Sequence, residues 1–206
     1  MPEISGAERQ QPRVRPATAA DLPAISRTLA RAFADDPVWE FLVRRRDRWA
    51  ARAAGYFAHD AGNRLRHGMV LVDEHCRGAA LWMPPDAWRA KLSDLAREMP
   101  SAIRLLGRRL PRALLTLSFV EKAHPKAPHN YLAVLGTDPD HQGKGIGSAL
   151  ITHVTDTSDE EGMACYLESS KESNVPYYAR HGFEVTEAMV LPGGGPTVWG
   201  MWREPR

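Results

Sequence analysis

Apolar positions near the start of the chain recur at helical spacing. Leu22, Ile25, Leu29 and Phe33 fall on one face. Thr18, with Asp21 three residues on, forms a capping-box pattern just ahead of them. A helix is therefore predicted to start near Thr18 and to end at "ADDP", after a short first strand in "RVRPAT". A second helix is predicted from about Arg46 to Arg64, with Trp49, Ala53, Tyr56 and Phe57 inward. The pattern then changes to strand lengths. "GMVLVDE" and "GAALWMP" read as two strands joined by a turn containing His75 and Cys76. Between residues 84 and 125, Leu92, Leu95, Ile103, Leu105 and Leu106 suggest helices broken by Pro100 and Pro111, and the pattern fixes no topology there. "HNYLAVLGT" returns to strand, a glycine-rich loop follows, and "IGSALITHVTD" reads as a helix. "MACYLES" is a strand, "NVPYYARHG" a short helix, "FEVTEAMVL" a strand, "LPGGGP" a turn and "TVWGMWRE" a last strand. Alternating strands and helices indicate one α/β domain. The expected division is a loose tail over residues 1–11 and a single domain over 12–206.

Composition narrows the function classes. The 206 residues suit one sizeable core. A formal net charge of +2, with both signs well mixed, calls for neither nucleic acid nor a membrane as partner. The densest basic run, Arg44 to Arg46 with Arg48 and Arg52, reads as a solvated helix face. Two cysteines, Cys76 and Cys165, without a CxxC, argue against a disulfide framework or a cysteine zinc site. The eight histidines show no HExxH and no close ligand triad, so no catalytic metal is expected. The first ten residues lack the apolar core of a signal peptide, and no apolar run is long enough to span a bilayer. A reducing cytoplasm is the default compartment.

The loop "DPDHQGKGIGSAL" carries the strongest chemical signal. Gly143, Gly145 and Gly147 lie between a predicted strand and a predicted helix. Early helix amides lack intrahelical partners and sit at the positive end of the helix dipole. Glycines let several of them converge on a bulky anion. A dinucleotide fingerprint fails because Ser148 stands where its third glycine belongs. A P-loop fails because Lys144 is followed by Gly145.

"QGKGIG", Gln142 to Gly147, resembles the (Arg/Gln)-x-x-Gly-x-(Gly/Ala) loop of the GNAT superfamily of N-acetyltransferases. "YLAVLGTDPDHQGKGIGSAL", "YLESS" and "NVPYYARHGFEV" resemble that family's successive segments in order and spacing over about residues 129–203. A narrower likeness, in "ATAADLPAISRTLARAFADDP", "HPKAP" and "GGGPTVWGMWREP", is to puromycin N-acetyltransferase and its actinobacterial relatives. The resemblance implies a mixed central sheet of about six to seven strands with splayed central parallel strands and helices on both faces. It implies acetyl-CoA as co-substrate, its pyrophosphate held by Gln142, Gly143, Lys144, Gly145, Ile146, Gly147 and Ser148. Leu135, Gly136 and Thr137 would meet the pantetheine arm along a strand edge. Asn174 would hydrogen-bond coenzyme A, or cap the helix that Pro176 begins. Lys144 could equally point to solvent.

The resemblance also assigns chemistry. Tyr178, in "YARHGF", stands where the family keeps its general acid, while Tyr177 reads as a packing residue. Alternation along "MACYLE" puts Ala164, Tyr166 and Glu168 on one strand face and Met163, Cys165 and Leu167 on the other. Glu168 is then either the general base or an orienting carboxylate. Cys165 is expected as a small buried hydrophobe rather than an acyl carrier. His141 is read as solvated or phosphate-adjacent, and His181 as part of the "RHGF" turn. Asp35, Asp36 and Glu40 form an acidic acceptor pocket or an exposed helix end. A tyrosine frequent in puromycin-enzyme relatives is replaced by Asp36. Trp39, Trp82 and Trp88 are candidates for an apolar wall. The expected function is acetyl transfer from acetyl-CoA to a primary amine of a small molecule by direct attack. A non-catalytic acyl-CoA sensor and a protein or peptide amine acetyltransferase stand as alternatives. The sequence leaves open whether the chain forms a homodimer.

Overall fold

A computed structural model describes residues 12–43, 46–85, 87–89 and 92–206. The expected tail over residues 1–11, and Arg44 and Arg45 of the basic run, lie outside the described residues. Seven strands, β1 (Val14–Pro16), β2 (Met69–Asp73), β3 (Gly78–Met83), β4 (His129–Thr137), β5 (Ala164–Ser169), β6 (Glu184–Val190) and β7 (Thr197–Arg203), form one mixed sheet in the order β1-β2-β3-β4-β5-β7-β6. The β4–β5 pair is parallel and the others are antiparallel. Helices α1 (Leu22–Ala32), α2 (Pro37–Leu42), α3 (Trp49–His67), α4 (Leu92–Leu106), α5 (Leu110–Ala123), α6 (Ile146–Glu160) and α7 (Val175–Ala179) complete the chain. The single α/β domain expected from the sequence is borne out.

Two cores lie on the two faces of the sheet. Ile25 and Leu29 of α1 and Ala53 and Phe57 of α3 pack on one face against Val70, Val72, Ala79 and Leu81. Leu150, Ile151 and Val154 of α6 pack on the other against Leu71, Ala80, Trp82, Cys165 and Leu167. Alternate residues of β2 and β3 therefore serve opposite cores, which is why these strands read as near-continuous apolar runs. The capping box forms: Asp21 accepts from the Thr18 amide (2.8 Å) and hydroxyl (2.9 Å) and binds Arg15 through both oxygens (2.8 Å each).

Proline behaves differently at its two expected break points. Pro111 sits in the first turn of α5, where its missing N–H costs no helix bond. Pro100 lies inside α4, which continues through it. The lost bond is outweighed by side-chain anchorage to α3, where Asn63 donates to Glu98 and Arg66 reaches Asp94.

The two parallel strands separate soon after they meet. Their register runs from His129↔Ala164 to Leu132↔Leu167 and stops there. At the same point β4 carries an irregularity against β3: Val134 pairs with Leu81 and Leu132 with Trp82, so Ala133 is the extra residue. A bulge of this kind bends its strand, and here it turns residues 134–137 away from β5. Past it, α1 lies against β4 with no room to spare. A Cβ on Gly136 would stand 2.8 Å from Leu29 Cδ2 and 2.9 Å from Ala32 Cβ. Gly136→Ala should therefore destabilise the fold by about 1–3 kcal/mol, the usual range for overpacking, read as a lower urea midpoint. An unchanged midpoint would show that α1 packs more loosely than its contacts indicate.

Candidate active site

The divergence of β4 and β5 opens a cleft of about 660 Å³. Its walls are the C-terminal end of α1, the outer half of β4, the glycine loop, the end of β5 with the residues that follow it, and α7. Leu135, Gly136, Thr137, Gln142, Gly143, Gly145, Ile146, Gly147, Ser148, Glu168, Asn174 and Tyr178 all line it. Lys144 does not: its ammonium donates to the Asp140 carbonyl (3.0 Å), and it lines a neighbouring cleft with Pro12 and Val14.

The loop is built to present backbone amides. Gly143 (φ 72°) and Gly145 (φ 81°) are left-handed, a conformation that side chains disfavour. The first intrahelical bond of α6 runs from the Ala149 amide to the Gly145 carbonyl (2.9 Å). The amides of Ile146, Gly147 and Ser148 therefore precede that bond and suit an anion. Arg31 of α1 fixes the loop by pairing with Asp138 (3.0 Å) and Asp140 (2.7 Å), and Gln142 donates to the Thr137 carbonyl (3.3 Å). His141 Nδ1 is buried without a hydrogen-bond partner, 3.7 Å from Asp138.

Tyr177 does more than pack. Its hydroxyl stands 2.7 Å from where a Gly147 Cβ would be, near Ser148, whose hydroxyl meets His181 Nε2 at 3.1 Å. A phenol in "PYYA" facing a glycine 30 residues earlier in the chain has no mark in local sequence. Tyr178 is buried, edge-on to Tyr177 (5.3 Å) and Phe183 (6.3 Å). Burial, aided by Tyr177 and Asp36, raises its hydroxyl well above the ordinary phenol range, so it stays protonated. Asn174 makes no capping bond to α7, and its side chain belongs to the cleft wall. The capping reading is thereby corrected.

Glu168 lies in a buried polar cluster. His124 Nδ1 is 3.2 Å from Glu168 Oε1, His124 Nε2 is 3.0 Å from His129 Nε2, and His129 Nδ1 is 2.7 Å from the Ala127 carbonyl. The Tyr131 and Tyr166 phenols lie near Glu168, and burial first, then the Glu168 charge, raises both. Trp88 stacks on His124 at 3.8 Å. The sequence reading singled out Glu168 but not His124, His129, Tyr131 or Tyr166. Strand alternation places His129 and Tyr131 on one face, and the parallel register sets Tyr131 beside Tyr166. Only that pairing, which sequence alone does not state, reveals the cluster.

The remaining candidates resolve into structure. Asp36 is buried and caps α2, accepting from the Val38 and Trp39 amides (3.0 Å each) and from the Ser170 hydroxyl, and burial raises its carboxyl. Asp35 pairs with Lys171 (2.7 Å), which holds its carboxyl below the usual range. Both Asp35 and Asp36 line the cleft as the acidic-pocket reading expects, one paired with Lys171 and the other capping α2. Trp39 joins an aromatic group with Trp49, Tyr56 and Phe57, and Trp82 is core. Cys165 is fully buried on the α6 side, away from Glu168, and burial raises its thiol. Among the described residues no group of three or more His, Cys, Asp or Glu side chains could hold a metal ion, and no helix is long and apolar enough to cross a membrane.

Comparison with known proteins agrees with this geometry. The model of the acetyltransferase (GNAT) domain family matches residues 116–185, which run from α5 through the glycine loop to the start of β6. Over 186 residues the chain is 28% identical to an uncharacterised N-acetyltransferase of Schizosaccharomyces pombe, covering 84% of this chain and 74% of that one. A solved structure from Corynebacterium glutamicum, described as histone acetyltransferase HPA2 and related acetyltransferase, is 28% identical with a TM-score of 0.73, over 96% of this chain and 98% of its own. A polyamine N-acetyltransferase of Drosophila melanogaster shares the fold at 15% identity and a TM-score of 0.61, over 93% of this chain and 99% of its own. In its seven-stranded mixed sheet, its split parallel strands and the glycine loop at the mouth of the split, the chain is similar to GNAT acetyltransferases, and its residues 116–185 match the GNAT acetyltransferase domain.

Proposed function

We propose that the protein transfers an acetyl group from acetyl-CoA to a primary amine of a small molecule by direct attack. The observation that carries this reading is the cleft itself. It joins the amide-presenting loop, an open strand edge, a protonated phenol and a carboxylate in one space. The residues fit coenzyme A. Loop amides, Ser148 and the partnerless His141 Nδ1 suit its pyrophosphate. The edge of β4 from Leu135 to Thr137 suits the amides of its pantetheine arm, and Asn174 adds a side-chain amide. Bound acetyl-CoA supplies an activated acetyl thioester.

The chain's own residues then handle two protons. A lysine-like amine is neutral in only about one molecule in a thousand at pH 7. Glu168, at the cleft wall, receives the proton that the amine must lose. Tyr178 stays neutral through burial and delivers a proton to the departing sulfur. Direct attack is supported by Cys165, which faces α6 and lies outside the cleft lining.

Three measurements test this reading. Incubated with acetyl-CoA and a panel of polyamines, aminonucleosides and arylalkylamines, the protein should release free thiol with at least one amine. Coenzyme A binding without turnover across the panel would favour a sensor. Tyr178→Phe should lower turnover by about 10²-fold, as for loss of a positioned acid, with acetyl-CoA affinity nearly intact. Unchanged turnover in this variant, with chemistry shown to be rate-limiting, would remove Tyr178 from the role. Gly145→Val places a β-branched residue at φ 81° and should weaken acetyl-CoA binding at least about tenfold by calorimetry, since left-handed geometry costs an ordinary residue roughly 1–2 kcal/mol. Normal affinity would overturn the assignment of the loop.

A further inference from the structure

The chain of contacts behind Glu168 has a fixed polarity. It starts at the Ala127 carbonyl, which only accepts, so His129 Nδ1 at 2.7 Å carries a hydrogen. A neutral His129 then presents a lone pair at Nε2. His124 Nε2, at 3.0 Å, must donate to it. A neutral His124 is left with a lone pair at Nδ1, and that lone pair faces Glu168 Oε1 at 3.2 Å. Two neutral imidazoles thus bring two hydrogens to three contacts, and an ionised carboxylate brings none. The contact short of a hydrogen is the one nearest the cleft.

Surrounding groups hold this arrangement in place. Trp88 stacks on the His124 ring, while Tyr131 (4.7 Å) and Tyr166 (4.9 Å) meet it edge-on, which opposes a ring flip. His124 and His129 are both buried, whereas Glu168 lines the cleft. A proton reaching the pair enters and leaves through Glu168. Among the described residues, these charged and titratable groups act near it. Tyr131 and Tyr166 lie near Glu168 and stay neutral through burial. Arg64 of α3, paired with Asp60 at 2.8 Å, acts on Tyr131, and Glu187 of β6 acts on Tyr166. Arg89 lies over the Trp88 ring at 4.9 Å.

We infer that the gap between Glu168 Oε1 and His124 Nδ1 is a binding site for one proton, and that His124 and His129 are positioning residues that make Glu168 the acceptor of the amine's proton. The inference rests on the acetyltransferase reading proposed above. In the step, an N–H bond of the amine breaks and an O–H bond forms at Glu168. The proton is shared with His124 Nδ1, and the pair goes from a net charge of −1 to zero. The proton returns to water through the cleft before the next turnover. The base-competent form lacks the proton, so activity rises with pH as that proton is lost. A carboxylate without the imidazole lone pair is a weaker proton acceptor.

Profiles of kcat/KM against pH, taken with one amine, test the inference. His124→Asn should shift the acid limb to lower pH and lower the plateau by about 10- to 100-fold, part of what a positioned base contributes, with the KM for acetyl-CoA unchanged. His129→Gln, whose amide oxygen can replace the Nε2 lone pair, should keep the wild-type limb, and His129→Leu should shift it as His124→Asn does. Loss of activity in all three variants with no movement of the limb would overturn the inference. Histidine-selective ¹⁵N NMR of the ligand-free protein gives a readout independent of turnover. Raising the pH should remove a proton from His124 Nδ1 while His124 Nε2 and His129 Nδ1 stay protonated. A neutral His124 protonated at Nδ1 would sink the proposal even in an active enzyme. The expected titration in a protein that acetylates no amine would instead sink the acetyltransferase reading alone.

Discussion

One irregularity in one strand shapes the molecule: the extra residue at Ala133. A β-strand buried between two neighbours normally pairs on both edges, because unpaired backbone amides inside a protein are costly. Up to Leu132, β4 obeys this rule, held by β3 on one side and β5 on the other. Beyond the bulge it keeps β3 and loses β5, while β5 continues along β7 as far as Ser169↔Trp199. Each strand stays satisfied on its outer edge, and the two inner edges are left facing a gap. That gap exposes backbone amides along the outer half of β4 to the cleft. The glycine loop leads from the end of β4 into α6, and Arg31 ties the loop to the helix on the opposite wall.

The same two strands separate two tasks by position. In the paired stretch, His129 and Tyr131 of β4 come beside Tyr166 of β5, and Glu168 follows one residue after the last pair. In the unpaired stretch, Leu135 to Thr137 line the cleft. Glu168 stands at the boundary, with a polar cluster behind it and open space in front. Its partner across β7 is Gly200, and a Cβ there would come within 2.8 Å of the Tyr166 hydroxyl. Absence of a side chain on β7 is thus what lets the Tyr166 ring lie across the sheet toward the carboxylate.

Much of this was legible in the residues. Alternation along "MACYLE" correctly separated Glu168 from Cys165, since side-chain period in a strand is fixed by geometry. The glycine loop and the helix behind it declared themselves through backbone chemistry that few other residues can supply. What stayed hidden depends on contacts remote in sequence. Asp36 looks like a surface acid in "ADDP", but it caps the next helix and meets Ser170 from across the cleft. Pro100 looks like a helix break, but anchorage to α3 outweighs its missing hydrogen bond. His124 sits on a loop five residues before His129, and neither carries a metal-ligand spacing. Their meaning appears only once β4 and β5 pair.

Burial of so many polar groups at one place needs its own account. An unpaired polar group in an apolar interior costs on the order of 1–3 kcal/mol, and a charged one more. The cluster around Glu168 limits that cost by pairing Glu168 Oε1 and all four imidazole nitrogens, although its hydrogens fall one short when Glu168 is ionised and both imidazoles are neutral. Two phenols lie near the carboxylate, and their own ionisation is suppressed by the same burial and by the Glu168 charge, so they do not compete for its proton. Tyr178, on α7, is kept neutral by burial as well. Desolvation thus keeps the Tyr178 phenol protonated where it faces the cleft.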